Sequence, residues 1–317
     1  QGLQGDIGLT GAQGVEGGIG LKGDQGDTGA TGDRGETGIQ GKTGAIKIEF
    51  ATIDFLMTDW LNYRAGIILS PLGKYNLVHD SPLQDLTDRP MVSTNIIPTT
   101  LSESGMGFFG TLYPTELSTL SYEIYAVNGF SAQDGTATAR GGTGFIRSSR
   151  GSQQDDNNRN PAIVGRLAYS PFLGLEVGLS AHVGDIDQHG GSKMAIKAVD
   201  WTYQRGAFEL VGEYAHASIE RDRGDVAGTP KSDLYNGDMW GFYVEPRYHF
   251  MPQFLKDVAP TFFTDNSTFT AVCRLGHLDI NNPTYGSADT RQTRVTPGFN
   301  FRYTEDTVFK AEYQFNM

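Results

Sequence analysis

The final stretch of the chain, Gly298–Met317, reads GFNFRYTEDTVFKAEYQFNM and determines the fold class. Aromatic residues alternate with polar ones through Phe299–Tyr303, and after the turn residues 304–306 the alternation resumes through Phe309–Phe315. A period of two places apolar side chains on one face of a strand and polar side chains on the other. The stretch therefore predicts two antiparallel strands joined by a tight turn.

The same alternation recurs from residue 45 onward and predicts an all-β domain over 45–317. Trp240, Phe242 and Val244 alternate with Gly241 and Tyr243, for example. About twelve strands are predicted, near 45–57, 60–70, 104–114, 119–130, 161–171, 173–184, 193–204, 206–220, 237–250, 267–280, 291–303 and 305–317.

A soluble sheet and a membrane barrel both give alternation, and three further features favour the barrel. Many predicted strands are longer than the usual five or six residues, which is the length that a tilted strand needs to cross a bilayer. Aromatic residues such as Trp60, Trp201 and Trp240 lie near strand ends. Tight turns alternate with long polar loops near 71–103, 132–160, 184–192, 221–237 and 281–290. We therefore predict an antiparallel transmembrane β-barrel.

The first 44 residues have a different period. Glycine occupies every third position from Gly2 to Gly44, although no proline occurs there. Only glycine fits at the crowded axis of a collagen triple helix, so the segment 1–44 is predicted to be an extended collagen-like strand. Lys22 and Arg34 each precede a glycine and an acidic residue, which resembles the charge pairing of bacterial collagen-like proteins. A periodic glycine-rich linker is the alternative.

Composition excludes several classes of protein. The formal net charge of −12 argues against a nucleic-acid partner, and no apolar run is long enough for a transmembrane helix. Cys273 is the only cysteine, so an internal disulfide and a cysteine metal site are both excluded. Because the chain begins within the repeat, we interpret it as a processed or truncated product.

Several stretches resemble the phosphate-selective porin family, the porins O and P. The first are EFATIDFL (Glu49–Leu56) and DWLNYRAG (Asp59–Gly66). The resemblance continues through Pro71–Gly73, Leu86–Pro90, Ile97–Thr100, Gly105–Gly110, Val164–Pro171 and Glu209–Tyr214. It covers most of 46–317 and is most specific in the first part.

That resemblance implies a sixteen-stranded trimeric channel of the bacterial outer membrane. The collagen-like repeat stands where the first strands of the family would be, and the last strand is expected to be missing. Because barrel N-termini in the family are usually periplasmic, the resemblance implies a periplasmic collagen-like segment. Homotrimers are shared by collagen helices and by this family, so a homotrimer in outer-membrane lipid is the expected assembly.

Basic residues on the polar face are the candidate pore-lining residues for anion contact. Arginine can hold phosphate or carboxylate through two hydrogen bonds. On the strands these candidates are Arg64, Arg247, Arg274, Arg294, Arg302 and Lys310. The alternative is that they pair in cross-strand ladders with acidic residues, namely Glu176, Glu209, Glu213, Glu245 and Glu312. The net acidity of the domain also argues against strong anion selectivity.

The loop 71–103 is the candidate constriction of the pore, because long loops without regular structure are usually functional. If the loop folds inward, Lys74, Arg89 and His79 would meet the passing solute. If it forms an external lid, these side chains are solvated instead.

No catalytic or cofactor motif occurs in the sequence. The six histidines are scattered, so neither a metal site nor a cofactor is predicted. The leading hypothesis is a passive channel for small, anionic, phosphate-like solutes. The alternative is a structural or adhesive surface protein in which the repeat acts and the barrel is an anchor. An enzyme is the least favoured of the three hypotheses.

Overall fold

The computed structural model describes residues 48–131, 145–150, 161–186, 193–219, 238–280 and 291–317. The chain divides into two units, Gln1–Ile46 and Lys47–Met317. The first unit lies outside the described residues, so the extended collagen-like conformation stays a prediction.

The second unit is a 13-stranded antiparallel sheet. Its strands are β1 (Ala51–Leu56), β2 (Asn62–Leu69), β3 (Ser102–Thr115), β4 (Ser118–Val127), β5 (Ala162–Phe172), β6 (Leu175–Asp185), β7 (Lys193–Arg205), β8 (Phe208–Ile219), β9 (Asp238–Phe250), β10 (Thr268–Asp279), β11 (Arg291–Arg302), β12 (Val308–Glu312) and β13 (Phe315–Asn316). The all-β prediction is confirmed, and each predicted strand has a counterpart. The last predicted strand, 305–317, is divided into β12 and β13.

Each strand from β1 to β12 pairs with its neighbours in the chain, and β13 pairs with β11 beyond the end of β12. The edge strands β1 and β12 do not pair with each other in the described part of the chain, so the sheet is open there. A closed barrel is therefore not observed. None of the described helices is long and apolar enough to span a membrane.

Two kinds of connection alternate along the sheet. The connections 57–61, 116–117, 173–174, 206–207, 251–267 and 303–307 meet at one end, which we call the short-turn end. Most are tight turns, although 251–267 carries the helix α4 (Gln253–Val258). The longer connections 70–101, 128–161, 186–192, 220–237 and 280–290 meet at the opposite, long-loop end. Parts of the last four lie outside the described residues.

The outer face of the sheet is apolar and exposed. Ile163 is 56% exposed, Leu179 is 53% exposed and Phe309 is 62% exposed. Similar outward side chains occur on most strands, including Phe108, Ile124, Leu167, Leu275 and Phe299. A soluble protein rarely exposes so continuous an apolar surface, and the outside of a membrane barrel has this character.

The connection between β2 and β3, residues 70–101, folds onto the inner face of the sheet; we call it the inserted segment. It contains the helices α1 (Lys74–Leu77) and α2 (Val92–Asn95) and a 3₁₀-helix (Ser81–Leu83). Leu72, Ile96 and Ile97 are fully buried and form one apolar cluster with inward side chains of the strands. The inward position considered for the loop 71–103 is therefore observed, and the external lid is not.

The sheet curls around this segment. His182 on β6 contacts Glu103 on β3 at 2.9 Å, although three strand spacings separate those strands by about 14 Å in a flat sheet. The inserted segment also bonds to strands from β6 to β12, for example to Ser180 and Lys310. Contacts between strands so far apart in the sheet require a concave inner face.

Apolar and charged side chains occupy different depths of that inner face. Toward the long-loop end, Met194, Ile196, Ala217 and Met239 are buried in the cluster with the inserted segment and with α3 (Phe145–Ser148). The charged strand residues Glu209, Arg247 and Arg302 lie nearer the short-turn end. Most of the apolar cluster thus occupies the half of the inner face near the long-loop end, and the largest charged network lies nearer the short turns.

Candidate functional site

The charged part of the inner face is centred on Glu245 of β9, whose side chain is fully buried. It accepts hydrogen bonds from Arg247 at 2.7 Å and from Arg274 at 2.6 Å. Arg247 also contacts Glu209 on β8 and Asp85 of the inserted segment, each at 3.2 Å. Because inward positions recur every second residue, all four strand residues face the same side, as predicted.

Asp85 extends this network toward β11. Its carboxylate lies 3.2 Å from Arg302 and accepts a 2.9 Å hydrogen bond from Asn300. Lys310 on β12 donates to the carbonyl oxygen of Ser81 at 2.6 Å. Arg302 and Lys310 therefore bind the inserted segment rather than an acidic residue on a neighbouring strand.

A second cluster lies across β5, β6 and β7. Arg166 donates to Asp200 at 2.5 Å and to Glu176 at 3.1 Å, and Lys74 contacts Glu176 at 3.2 Å. Arg166 and Asp200 were not predicted as site residues. The residues on the same side of β5, Val164 and Ala168, are apolar, so the alternation did not predict a charged side chain facing inward at Arg166.

Arg64 on β2 forms ion pairs with acidic residues on β1 and β4. It contacts Asp54, its register partner on β1, at 2.8 Å and Glu123 on β4 at 3.7 Å. Its guanidinium also lies 4.5 Å from the ring centre of Phe109. The predicted ladder partners are thus observed for Arg247 and Arg274, whereas Arg64 pairs with acidic residues that were not predicted.

Three predicted residues come together at another point of the inner face. Arg89, Arg274 and Arg294 line one small cavity of about 10 Å³, with Asp88 beside them. Arg294 lies 3.5 Å from Asp88, and Arg274 donates to the Asp88 carbonyl oxygen at 2.6 Å. That volume holds about one water molecule, so this cavity is too small for a larger solute.

Three arginines that have no carboxylate partner among the described residues lie where two connections meet. We call Arg89, Arg147 and Arg150 the arginine cluster. Arg89 and Arg147 both donate to the Thr99 carbonyl oxygen at 2.8 Å, and Arg150 donates to the carbonyl oxygens of Pro98 and Thr100. Among the described residues, no carboxylate lies within salt-bridge distance of the cluster.

This arrangement is electrostatically unfavourable for the cluster itself. Burial, followed by the nearby charges of Arg147 and Arg89, lowers the pKa of Arg150 to about 10. Burial and Arg89 also lower the pKa of Arg147. Carbonyl dipoles solvate the guanidinium groups without neutralising them, so an anion near the cluster would be stabilised. Sequence reasoning found only Arg89, because Arg147 and Arg150 lie in a connection whose position depends on tertiary packing.

A larger inner cavity of about 220 Å³ lies between the inserted segment and β7 to β9. Lys74 and Arg247 line it, together with Trp201, Tyr75 and Tyr243. Burial raises the pKa of Tyr75 to about 12, so its hydroxyl stays neutral at physiological pH. Glu209 also lines it, and Lys74 and Arg247 are paired with Glu176 and Glu209 at 3.2 Å. The cavity therefore suits a small polar solute.

One group of residues has the composition of a hydrolytic triad without its geometry. Ser70 donates to Glu103, which also contacts His182 Nε2. A nucleophilic serine must bond to the histidine that removes its proton, whereas Ser70 bonds to the carboxylate. His182 Nδ1 is buried and has no hydrogen-bond partner in the described structure. This group therefore offers no basis for nucleophilic catalysis.

Together these features define the class: an antiparallel sheet protein with an apolar outer face, a charged inner face and an inserted segment. Residues 1–48 match the family described as "Collagen triple helix repeat (20 copies)", which supports the predicted repeat. Two further similarities concern the sheet.

Over 221 residues, 67% of this chain, the sequence is 29% identical to an uncharacterized protein of Aquifex aeolicus (strain VF5). The chain spans 49% of that relative's length. The crystal structure of OccK10 (OpdN) of Pseudomonas aeruginosa aligns with a TM-score of 0.30 and 10% identity, covering 82% of this chain and 75% of that chain. The fold is defined by the strand pairing itself.

Proposed function

We propose that this protein is a passive channel of the bacterial outer membrane for small anionic solutes. The observation that carries the proposal is the opposition of the two faces of the sheet: exposed apolar side chains outside, and a charged surface with an inserted segment inside. Lipid would cover the outer face, and the alternation of short turns with long loops is typical of outer-membrane barrels. No catalytic step is part of this function.

The arginine cluster supports the anionic preference more strongly than the basic residues on the strands do. Arg64, Arg247 and Arg274 are neutralised by carboxylates within 4 Å, so an entering anion would meet little net positive charge there. Arg89, Arg147 and Arg150, in contrast, keep a positive charge that no described carboxylate neutralises. Phosphate-like solutes are the class that such guanidinium groups bind best, which agrees with the porin resemblance.

A homotrimer is part of the proposal. A collagen triple helix requires three chains, and the porin resemblance implies the same number. The repeat would then hold three channel units together.

Single-channel current across a planar bilayer under a salt gradient tests the proposal. The wild-type protein should give discrete steps, closing in groups of three, with a reversal potential on the anion side. The double variant Arg147→Gln, Arg150→Gln should shift that potential toward cations, because it removes two unneutralised charges. Arg205→Gln, at the exposed short-turn end, is the matched control and should leave the potential unchanged.

The apolar packing inside the sheet favours a second candidate, the collagen-stalked anchor. Leu72, Ile96 and Ile97 fill part of the inner face near the long-loop end, as a plug in a channel would. If folded, heat-modifiable protein inserts into the bilayer and gives no current steps, the channel proposal fails and the anchor is the better account.

The position of β1 bears on the side of the membrane from which the chain enters the sheet. Ala51 pairs with Ile67, close to the point where β2 leads into the inserted segment. Residues 48–50 therefore lie at the long-loop end. Because long loops of outer-membrane barrels are external, we propose that the chain enters β1 from the outside, in place of the periplasmic expectation.

A further inference from the structure

Glu49, His79 and Asp80 bring three metal-ligating side chains together at the long-loop end. Glu49 lies two residues before β1, whereas His79 and Asp80 lie in the inserted segment between α1 and the 3₁₀-helix. His79 Nε2 lies 3.2 Å from Glu49 Oε2 and 3.7 Å from Asp80 Oδ1. The three ligand atoms all lie within 4.8 Å of one another.

The second ring nitrogen of His79 determines what Nε2 can do. Nδ1 lies 2.9 Å from the carbonyl oxygen of Asn76. A carbonyl oxygen only accepts hydrogen bonds, so Nδ1 carries a proton and donates it. In the neutral ring Nε2 is then an acceptor, and it faces two carboxylates that are acceptors as well. Three acceptor atoms within 4.8 Å of one another would be stabilised by a cation between them.

We propose that Glu49, His79 and Asp80 bind a divalent transition-metal ion, with Zn²⁺ as the best fit. Metal-ligating histidines commonly donate their other ring N–H to a backbone carbonyl, as His79 does to Asn76. Ligands about 2.0–2.2 Å from Zn²⁺ in a tetrahedron lie roughly 3.3–3.6 Å apart. The distances of 3.2 and 3.7 Å from His79 Nε2 to the two carboxylates are close to that value. The exposed carboxylates can rotate to complete the geometry.

The burial pattern agrees with an open metal site. The His79 side chain is 7% exposed, whereas those of Glu49 and Asp80 are 45% and 70% exposed. The ring is fixed and the carboxylates can adjust, which leaves the fourth position to water. Imidazole nitrogen suits Zn²⁺ and other transition metals, whereas Ca²⁺ and Mg²⁺ prefer oxygen ligands alone.

A proton is the competing cation. A protonated His79 would donate to Glu49 at 3.2 Å, but Asp80 at 3.7 Å is beyond hydrogen-bond distance. Within the described ranges, neither carboxylate has a lysine or arginine within 4.0 Å. A metal ion would engage both carboxylates, whereas a proton engages only one.

A bound ion would join two parts of the chain that are far apart in sequence. It would link Glu49, two residues before β1, to the inserted segment. The sequence predicted no metal site because Glu49 lies 30 residues before His79, and only the fold of the inserted segment brings them together. The site does not depend on the proposed channel function.

Calorimetric titration of ZnCl₂ into chelator-treated full-length protein in detergent micelles tests the proposal. One equivalent should bind, and His79→Gln should weaken the affinity about tenfold or more. Glu49→Gln and Asp80→Asn should each weaken it as well. His216→Gln is the matched control, because among the described residues His216 contacts one carboxylate, that of Asp238, at 3.4 Å, and the stoichiometric binding should survive.

A second metal separates specific from incidental binding. Co²⁺ should give d–d absorption bands that report a nitrogen ligand and that disappear in His79→Gln, while CaCl₂ should not displace it. Unchanged Zn²⁺ affinity in His79→Gln, or equal competition by Ca²⁺, would overturn the proposal. If His79→Gln does not fold, Glu49→Gln decides the question, because Glu49 is exposed and lies outside every strand.

Discussion

At the scale of single residues, the buried carboxylate of Glu245 shows how the inner face tolerates so many charges. It is fully buried between two arginines, and both of its oxygens are occupied. Alternation on β9 and β10 already placed Glu245, Arg247 and Arg274 on one face. The sequence did not indicate that Asp85, from a distant connection, completes the network.

Neutralising Glu245 should destabilise the protein strongly. Glu245→Gln keeps the shape but leaves Arg247 and Arg274 without their shared counter-charge, so the free energy of unfolding should fall by about 3 kcal/mol. Urea-induced unfolding in phospholipid vesicles, followed by tryptophan fluorescence, measures it. Glu116→Gln, in the exposed turn between β3 and β4, should change it by less than about 0.5 kcal/mol. Equal effects of the two variants would contradict this account.

At the scale of elements, the inserted segment is held by specific contacts with the strands. The backbone N–H of Gly73 donates to Ser180 on β6 at 2.9 Å, and that of Tyr75 donates to Glu213 on β8 at 3.1 Å. Ser93 also donates to Glu213, at 2.8 Å. Gly73 has φ 69° and ψ 149°, a region that is nearly restricted to glycine. A Cβ there would lie 2.5 Å from Glu213 Oε2 and 2.7 Å from Ile97 Cδ1.

Alanine at Gly73 should therefore cost more than alanine at another glycine with positive φ. Gly206, in the turn between β7 and β8, has φ 59°, and a Cβ added there would meet no other heavy atom within 4 Å. Gly206→Ala should cost about 1 kcal/mol for the backbone alone. Gly73→Ala should cost about 1–3 kcal/mol more because of the steric clash. The same urea measurement compares the unfolding free energies of the two variants. Equal losses of stability would mean that the inserted segment shifts to accommodate the added Cβ.

At the scale of the whole molecule, the alternation of connections orders the sheet between two environments. Five long connections meet at one end, together with residues 48–50, and the short turns meet at the other. The outer face is apolar along most of the strands. These features predict that the long-loop end faces the external medium and the short-turn end faces the periplasm.

Labelling of intact cells tests that orientation. In a Cys273→Ser background, Thr43→Cys should react with a membrane-impermeant maleimide without permeabilisation. Ala207→Cys, in a short turn, should react only after the outer membrane is permeabilised. The reverse pattern would restore the periplasmic expectation for the collagen-like segment.

The strands were predictable because alternation is a local property of the chain. The predicted strands 104–114 and 291–303 correspond to β3 and β11 with small shifts at their ends. The division after β12 was missed, since Phe309–Phe315 alternates without interruption. Of the predicted site residues, Arg64, Arg247, Arg274, Arg294, Arg302 and Lys310 do face inward, but their partners were only partly foreseen. Their role in anion contact stays a prediction.

The collagen-like period, the all-β class, the two faces of the strands and the alternation of connections can all be read from the sequence. Each of these follows from the spacing of neighbouring residues, which local geometry converts into a direction for every side chain. Long-range packing, in contrast, makes residues 70–101 fill the inner face, lets carboxylates neutralise most of its arginines, and brings Glu49 to His79. These contacts join residues far apart in the chain, and they form only when the curled sheet brings distant strands around one inserted segment.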